Sequence, residues 1–469
     1  MTASHVKLLL IDPPRSGWWL LEDTVMPNLG MAYLASYLKR HLGENVEVSI
    51  VDCPAENISW RELKRIIEKE RPDVVGVSAV TCTVNLAYKV CEMAKGVDTK
   101  ILTVVGGPHP TFLPDEALSR DYIDVVVRGE GEETLKELLE KYSRCGKVVS
   151  VRGIHYREGN KVVRCPPREL IQPLDKIPPP AWDLLPMNKY KMSAWGRKVM
   201  IYVSSRGCPF RCKFCSEWVF WRGVWRAHSA SRMFKDLKEL VERYGKELIW
   251  FCDDTFNVDR ERIVEFCNLI LEYGLRVKWG IEARADLLYR DRDLVRLMSE
   301  SGLFWVLLGV ESPFDRDLKL MRKGVTREQV EKVVRVLKDH DIIVQGMFIV
   351  GTPDDTEESI LSKAKYASKL DFDFVIFSPL TPLPGTELYQ EVKKEGKLRV
   401  LDYDKYDFAH AILDTNHLSY KDVQRLMLKC YEEFYSASRV LRGLFSRNKF
   451  RRDVYWHFLK MLGIRALLS

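Results

Sequence analysis

The sequence lacks any run approaching the roughly 20 consecutive apolar residues that a membrane-spanning helix needs. Its opening residues, MTASHVKLLLIDPPR, lack the basic stretch, apolar core and cleavage site of a secretory signal. Both absences lead to the expectation of a cytoplasmic protein. Low-complexity segments are missing, and the only repetition is an alternation of strand and helix patterns. A composition 46% hydrophobic and 30% charged excludes a disordered chain. Acidic excess is missing too. From Ser436 onward Arg439, Arg442, Arg447, Lys449, Arg451, Arg452, Lys460 and Arg465 face one acid, Asp453, so the net charge of +7 belongs to the tail and the rest balances. A disulfide framework is not expected, because eleven cysteines in a reducing compartment serve as core residues, metal ligands or reactive groups.

What is present is a chain of 469 residues, enough for two or three domains. The first part alternates the apolar runs VKLLLID (6–12), VEVSIVD (46–52), DVVGVSAV (73–80), KILTVVGG (100–107) and DVVVRGE (124–130) with amphipathic stretches such as WRELKRIIEKERP. Continuous apolar runs of this kind predict parallel strands covered on both faces by crossover helices. The fold expected over residues 1–145 is therefore a doubly wound, flavodoxin-like α/β domain. Ligands of such sheets bind beyond the carboxyl ends of the strands, where DPPR, SAVT, GGPHPT and RGEGEET fall. A hairpin around Glu158-Gly159-Asn160 and a proline-dense stretch suggest a linker over 146–195. A second series follows, with strands VMIYVSS (199–205), LIWFCDD (248–254), VKWGIEAR (277–284), FWVLLGVES (304–312), VQGMFIVG (344–351) and FDFVIFSPL (372–380). Six such units over 196–392 predict a partial (β/α)6 barrel with its chemistry at the carboxyl mouth. Residues 393–469 read as a small helical region ending in the basic tail.

One loop, CPFRCKFC (208–215), gathers Cys208, Cys212 and Cys215 and supplies no fourth thiol. A structural zinc site is closed by four protein ligands, and the next candidates, Glu217 and His228, do not repeat a finger or ribbon spacing. Zinc remains the plain alternative. An iron–sulfur cubane suits thiolates, and three of them leave one iron open for a substrate or cofactor. Three ordinary core cysteines are a poor reading, because Arg206, Arg211 and Lys213 share the segment.

CxxxCxxC with Phe214 before the third cysteine, after the first strand of a six-unit barrel, resembles the radical S-adenosylmethionine superfamily. The resemblance implies that Cys208, Cys212 and Cys215 hold a 4Fe–4S cluster as metal ligands and catalytic centre, and that the open iron binds S-adenosylmethionine. It further implies contacts to that cofactor from Phe214, Asp253, Asp254, Glu282, Arg284, Glu311, Gly346 and Gly351, although the family's usual glycine-glycine-glutamate is absent from CDDTFN. The first domain, with PPR, MPNLGMAYLASYL (26–38) and the PLDKIPPPAWDLLP linker, resembles the cobalamin-binding domain that precedes such barrels. That likeness implies a cobalamin site near Pro14, Leu29, Gly30, Ser78, Gly106, Gly107, Pro108, His109, Gly129, Glu130 and Gly131. No Asp-x-His-x-x-Gly occurs, so cobalt is expected without a protein histidine, and His109 reads first as a turn histidine bonded to backbone. Around CSEWVFWRGVWRAHS, WFCDDTFNVDRERIVEFC and VKWGIEARADLL the chain resembles the anaerobic magnesium-protoporphyrin ester cyclase and the methylases of hopanoids and lipids. Trp218, Trp221 and Trp225 are then expected to wall the substrate from water.

The function these likenesses imply is a cobalamin-dependent radical enzyme acting on an sp3 carbon of a hydrophobic substrate (lipid, isoprenoid or tetrapyrrole), served by an external one-electron reductant. Methyl transfer is the first expectation and ring closure or carbon–carbon coupling the second. A cofactor-based sensor that binds nucleic acid ranks below both. In FRRDVYWHFLKMLGIRALL (450–468), Val454, Tyr455, Phe458, Leu459, Leu462 and Leu467 stand near helical spacing among Arg451, Arg452, Lys460 and Arg465. Such a helix reads either as a membrane-surface element or as a helix packed on the barrel with a solvated basic face.

Overall fold

The computed structural model describes residues 5–15, 24–192 and 198–468; the side chains of residues 191, 192, 458 and 460–468 lie outside that description. Two units emerge. One comprises Met1–Tyr190 with Val219–Arg222 and Asp402–Asp404; the other comprises Lys191–Trp218, Gly223–Leu401 and Lys405–Ser469.

In the first unit, strands β1 (Val6–Asp12), β2 (Val46–Asp52), β3 (Val74–Ser78), β4 (Leu102–Gly106) and β5 (Val125–Val127) are parallel, in spatial order β2-β1-β3-β4-β5. This is the flavodoxin-like order, which reverses between β1 and β3. Side chains alternate along a strand, and β1 shows the result. Leu8 and Leu10 pack with Met31 and Leu38 of α1 (Leu29–Leu42), while Leu9 and Ile11 pack with Leu63 and Ile67 of α2 (Trp60–Glu70). Both faces are thus core, which is why the strands read as unbroken apolar runs. Helix α2 starts at a capping box between Ser59 and Glu62. The hairpin read around Glu158-Gly159-Asn160 forms β6 (Ile154–Glu158) and β7 (Lys161–Arg164), which extend the same sheet antiparallel beyond β5.

The second unit is a six-stranded parallel sheet in chain order: β8 (Val199–Tyr202), β9 (Leu248–Phe251), β10 (Lys278–Arg284), β11 (Leu303–Glu311), β12 (Ile343–Val350) and β13 (Phe374–Pro379). Six strands in sequential order leave the barrel partial, with β13 as an edge. Helix α3 (Tyr420–Phe434) covers that edge. The backbone N–H groups of Val375 and Phe377 donate to the hydroxyls of Tyr435 and Tyr431 at 3.1 and 3.0 Å, so the strand offers no free ladder there. Helices α4 (Ala437–Leu444) and α5 (Lys449–Leu468) follow. Tyr455 packs so closely against Gly443 that a methyl at that glycine would meet its ring at 2.2 Å. Arg439 is buried and donates to the carbonyl of Phe372, and Arg451 pairs with Asp373. Part of the basic tail is therefore bound into the barrel. The side chains of Phe458, Lys460, Leu462, Arg465 and Leu467, invoked for the tail, lie outside that description. Among the described residues no helix is long and apolar enough to cross a membrane.

Candidate active site

The cysteine loop opens at Cys208, six residues after β8 ends at Tyr202. A short ribbon pairs Ser205–Arg206 antiparallel with Arg226–Ala227. Two acids after β9 then fasten the loop's entry. Asp253, fully buried, accepts from the backbone N–H groups of Ser204 and Ser205 at 2.6 and 3.0 Å and from the Ser204 hydroxyl. Asp254 accepts from the N–H of Gly207 at 3.0 Å. Asp253, expected as a cofactor contact, is instead spent within the protein. Asp254 remains exposed. Desolvation, then the nearby Glu217, push its carboxyl well above the ordinary range.

Within the loop the N–H of Cys215 donates to Cys212 O at 3.2 Å, and the Trp218 indole N–H donates to the same carbonyl at 3.0 Å. Lys213 donates its N–H to Met321 O at 3.0 Å and pairs with Glu391 at 2.6 Å. Cys208 and Cys212 are buried and Cys215 is half-buried. The Cys208 sulfur lies 3.0 Å from the Thr255 hydroxyl, and Arg284 Nη1 lies 3.8 Å from the Cys212 sulfur. The same guanidinium rests on the Phe210 ring, 3.6 Å from its centre, and is held by Asp286. Burial pushes the Cys208 and Cys215 thiols up, so these sulfurs become thiolates only when a cationic group takes the place of their protons. Among the described residues no three His, Cys, Asp or Glu side chains converge on one ion-sized point, as a closed zinc site requires. Ligands of a cubane stand on different irons and so stand apart. The donor set fits that group: soft, close in sequence, and without a fourth protein ligand.

The other strand-end residues divide between access and packing. Glu282 of β10 is half-buried, and burial, partly offset by the Trp250 N–H, raises its carboxyl to about 7. Cys252 lies among the same acids, and desolvation pushes its thiol well up. Glu311 sits at a bulge of β11 with φ of +62°, a strained backbone for a residue with a Cβ. The twist delivers its carboxylate to Lys323 at 2.5 Å, both side chains being buried. Gly309 makes room for that pair, since a methyl there would meet the Lys323 amine at 2.7 Å. Glu311 is thus committed to a lysine the motif reading did not find. A Cβ at Gly346 would meet the Phe348 and Phe372 rings, and one at Gly351 would meet Val423 of α3. Both glycines therefore have packing reasons. Phe214 packs against Met321, Leu380, Leu388 and Leu413 in an apolar cluster. Trp225 donates to Thr255 O at 3.2 Å, so Trp218 and Trp225 brace the site. Trp221 groups with the first unit, edge-on to Phe220 at 4.8 Å.

The first unit's strand ends are built from turns. At Gly107, with φ of +93°, a methyl would stand 2.6 Å from Ala79 O and 2.9 Å from the Ser78 hydroxyl, so backbone meets backbone there. Gly106, Gly107 and Pro108 follow β4, and His109 is buried beneath them. Both its ring nitrogens are engaged, by Glu116 at 2.9 Å and Thr81 at 3.3 Å, and Tyr403 packs on its edge. Its partners are side chains rather than the expected backbone, and neither nitrogen is offered outward. Gly129 donates to the Thr111 hydroxyl, Glu130 is buried and accepts from the N–H of Ile171, and Gly131 is pressed by Leu34. Pro14 and Leu29 are buried, and Gly30 is exposed in the first turn of α1. Where a turn runs backbone against backbone with open space at Gly129, a bulky, largely uncharged ligand has room to approach.

Comparison with known proteins agrees with this division. A model of the B12 binding domain matches residues 23–139, and a model of the Radical SAM superfamily matches residues 202–367. An uncharacterized methyltransferase of Pyrococcus horikoshii is 36% identical over 467 residues, covering 99% of this chain and 98% of that protein. The anaerobic magnesium-protoporphyrin IX monomethyl ester cyclase of Rubrivivax gelatinosus is 32% identical over 440 residues, covering 92% of this chain and 78% of the cyclase. Among solved structures, the radical S-adenosylmethionine methyltransferase TsrM of Kitasatospora setae, with cobalamin and a 4Fe–4S cluster bound, superposes with a TM-score of 0.71 at 17% identity, over 93% of this chain and 90% of TsrM. At that identity the likeness to TsrM is one of fold.

Proposed function

This chain belongs to the B12-binding radical S-adenosylmethionine family and is an enzyme of it, and from that premise we propose that it transfers a methyl group to an sp3 carbon of a small hydrophobic substrate. A lipid, isoprenoid or tetrapyrrole is the class in view. Its cofactors are a 4Fe–4S cluster, S-adenosylmethionine and cobalamin. When bound, the cluster would supply one electron, drawn from an external reductant, for cleavage of S-adenosylmethionine into methionine and a deoxyadenosyl radical, and cobalamin would supply the transferable methyl.

The observation that carries the reading is three soft donors on one loop, beyond the first strand of a six-stranded parallel sheet, with no closed metal site of three or more His, Cys, Asp or Glu among the described residues. Cys208, Cys212 and Cys215 hold the cluster. Arg284, beside Cys212 and braced by Phe210 and Asp286, offsets the negative charge of the thiolates. Asp254 and Glu282 are the carboxyls left accessible for a cationic amino group; Asp253 and Glu311 position the loop and the strand end instead. Trp218 and Trp225 exclude water beside the loop. In the first unit, the Gly106–Gly107 turn and Gly129 let backbone approach cobalamin closely. His109, tied to Glu116 and Thr81, keeps both ring nitrogens within the protein and would pack beneath the cobalamin site rather than bind it.

The cyclase likeness at 32% identity supports ring closure as the second reading. Anaerobic protein, reconstituted with iron, sulfide, cobalamin and a reductant, tests both with S-adenosylmethionine labelled in its methyl group. Deoxyadenosine is expected, and Cys208→Ala, Cys212→Ala or Cys215→Ala is expected to abolish it together with the visible iron absorbance. An unlabelled product from a tetrapyrrole or isoprenoid substrate replaces methyl transfer by ring closure. No deoxyadenosine from the loaded parent overturns both.

A further inference from the structure

The chain's entire net charge sits after residue 435, yet the structure consumes only part of it. Arg439 is buried against the Phe434 ring and Phe372 O, and Arg451 pairs with Asp373. Arg442, Arg447 and Lys449 are exposed and make none of these contacts. They flank the turn between α4 and α5, where large apolar side chains also face solvent. Phe445 is 79% exposed and Leu441, one helical turn before it, 56%. On α5, Trp456 and Leu459 are 44% and 41% exposed. Trp456 stands seven residues from Lys449, on the helix face away from the buried Val454, while Arg452 and Leu459 border the buried Tyr455. An apolar stripe on the outer face does not serve the core, which Gly443, Leu444, Val454 and Tyr455 already fill. Basic side chains around exposed Phe, Leu and Trp are the composition of a helix that lies in a membrane interface.

We propose that this helical turn docks the enzyme on an anionic lipid surface, with Phe445 and Leu441 entering the acyl boundary and Arg442, Arg447 and Lys449 meeting headgroup phosphates. Charge selects the partner's sign, because Asp453 is the one acid in the segment. The apolar side chains select lipid over nucleic acid, whose backbone gives Phe445 and Leu441 nothing to enter. The inference rests on the tail's own charge and exposure, and holds whichever reaction the barrel performs.

Sedimentation of the full-length protein with vesicles tests it. Vesicles of equal parts phosphatidylglycerol and phosphatidylcholine are expected to carry the protein down, and vesicles of phosphatidylcholine alone are not. The triple variant R442E/R447E/K449E should lose about a hundredfold in partition, as each base near an anionic surface contributes appreciably. The double variant L441S/F445S should lose about tenfold while keeping the salt dependence. These side chains point to solvent, so the variants should melt with the parent. Equal binding to neutral vesicles overturns the proposal, as does partition unmoved by either variant. So does binding to duplex DNA in preference to anionic vesicles, or self-association that L441S/F445S abolishes while vesicle binding is absent.

Discussion

The two sheets each end in a row of strand-end turns, and the two rows are made of different chemistry. In the first unit the turns are glycines pressed against backbone, and the buried titratable groups are answered from within: His109 by Glu116 and Thr81, Asp12 by Arg15, Asp52 by Tyr190. Burial also raises the Asp12 carboxyl and the Cys53 thiol there. In the second, three thiols share one loop beside two accessible carboxyls, and burial has moved these too. The Cys208 and Cys215 thiols and the Asp254 carboxyl are pushed up, and Glu282 is raised to about 7. The first end is suited to a ligand recognised by shape and backbone approach, the second to groups that carry charge and change it. A corrin and an iron cluster in one chain need such a division, for a charged wall would serve a corrin ring poorly and a glycine turn cannot hold iron.

The comparison breaks most readily at Lys323. If the barrel mouth depends on charge balance, Lys323→Met, which leaves Glu311 buried without its cation, lowers stability by about 3–5 kcal/mol. Denaturant unfolding followed by tryptophan fluorescence measures the loss. Lys323→Met combined with Glu311→Leu should recover much of it, because a buried pair replaced as a whole is often nearly neutral. A double variant as weak as the single one would show that the pair is not the source. In the first unit the corresponding probe is steric. Gly107→Ala forces a methyl to within 2.6 Å of Ala79 O at a φ of +93° and should destabilise that unit by about 2–3 kcal/mol. Cobalamin uptake, read from its visible spectrum, should fall while the iron spectrum survives. Loss of both spectra together would mean the two ends do not divide the cofactors as argued.

Much of this was legible in the sequence, for identifiable reasons. Strands buried on both faces are nearly unbroken runs of Val, Ile and Leu, so VKLLLID marks β1 and VVGVS marks β3. The cysteine loop stands out in the sequence because its spacing is local, and the structure keeps Cys208 beside Thr255 and Cys212 beside Arg284. What escaped depends on contacts far apart in the chain. Lys323 meets Glu311 only because a bulge turns Glu311 into the left-handed region, and no local pattern announces that bulge. Asp253 looked like a cofactor contact because strand-end acids at a barrel mouth often are; three donors from Ser204 and Ser205 decide otherwise. Trp218 and Trp221 are three residues apart, yet they fall in different units. Gly351 is expected to contact S-adenosylmethionine, yet the space it leaves is taken by Val423, on a helix some seventy residues on.

The finest test of the contrast is Glu282, because its protonation is a property of the mouth. Its carboxyl is raised to about 7 by burial, whereas in the unfolded chain it titrates near the ordinary value of 4.5. Below that ordinary value both states hold the proton and the residue contributes no pH dependence. As pH rises between the two values the unfolded chain releases the proton first, so stability falls, and above about 7 the full penalty is present. Glu282→Gln removes the charge and hence the penalty. The variant should match the parent near pH 4 and exceed it at pH 8 by on the order of 2 kcal/mol, read as denaturation midpoints across the range. Deoxyadenosine formation should respond in the opposite sense. If Glu282 meets the amino group of S-adenosylmethionine as a carboxylate, the parent's rate rises through pH 7 and that rise is missing from the variant. A stability gain with an unchanged rate profile would leave Glu282 a desolvated bystander, and Asp254 alone would then face the cofactor.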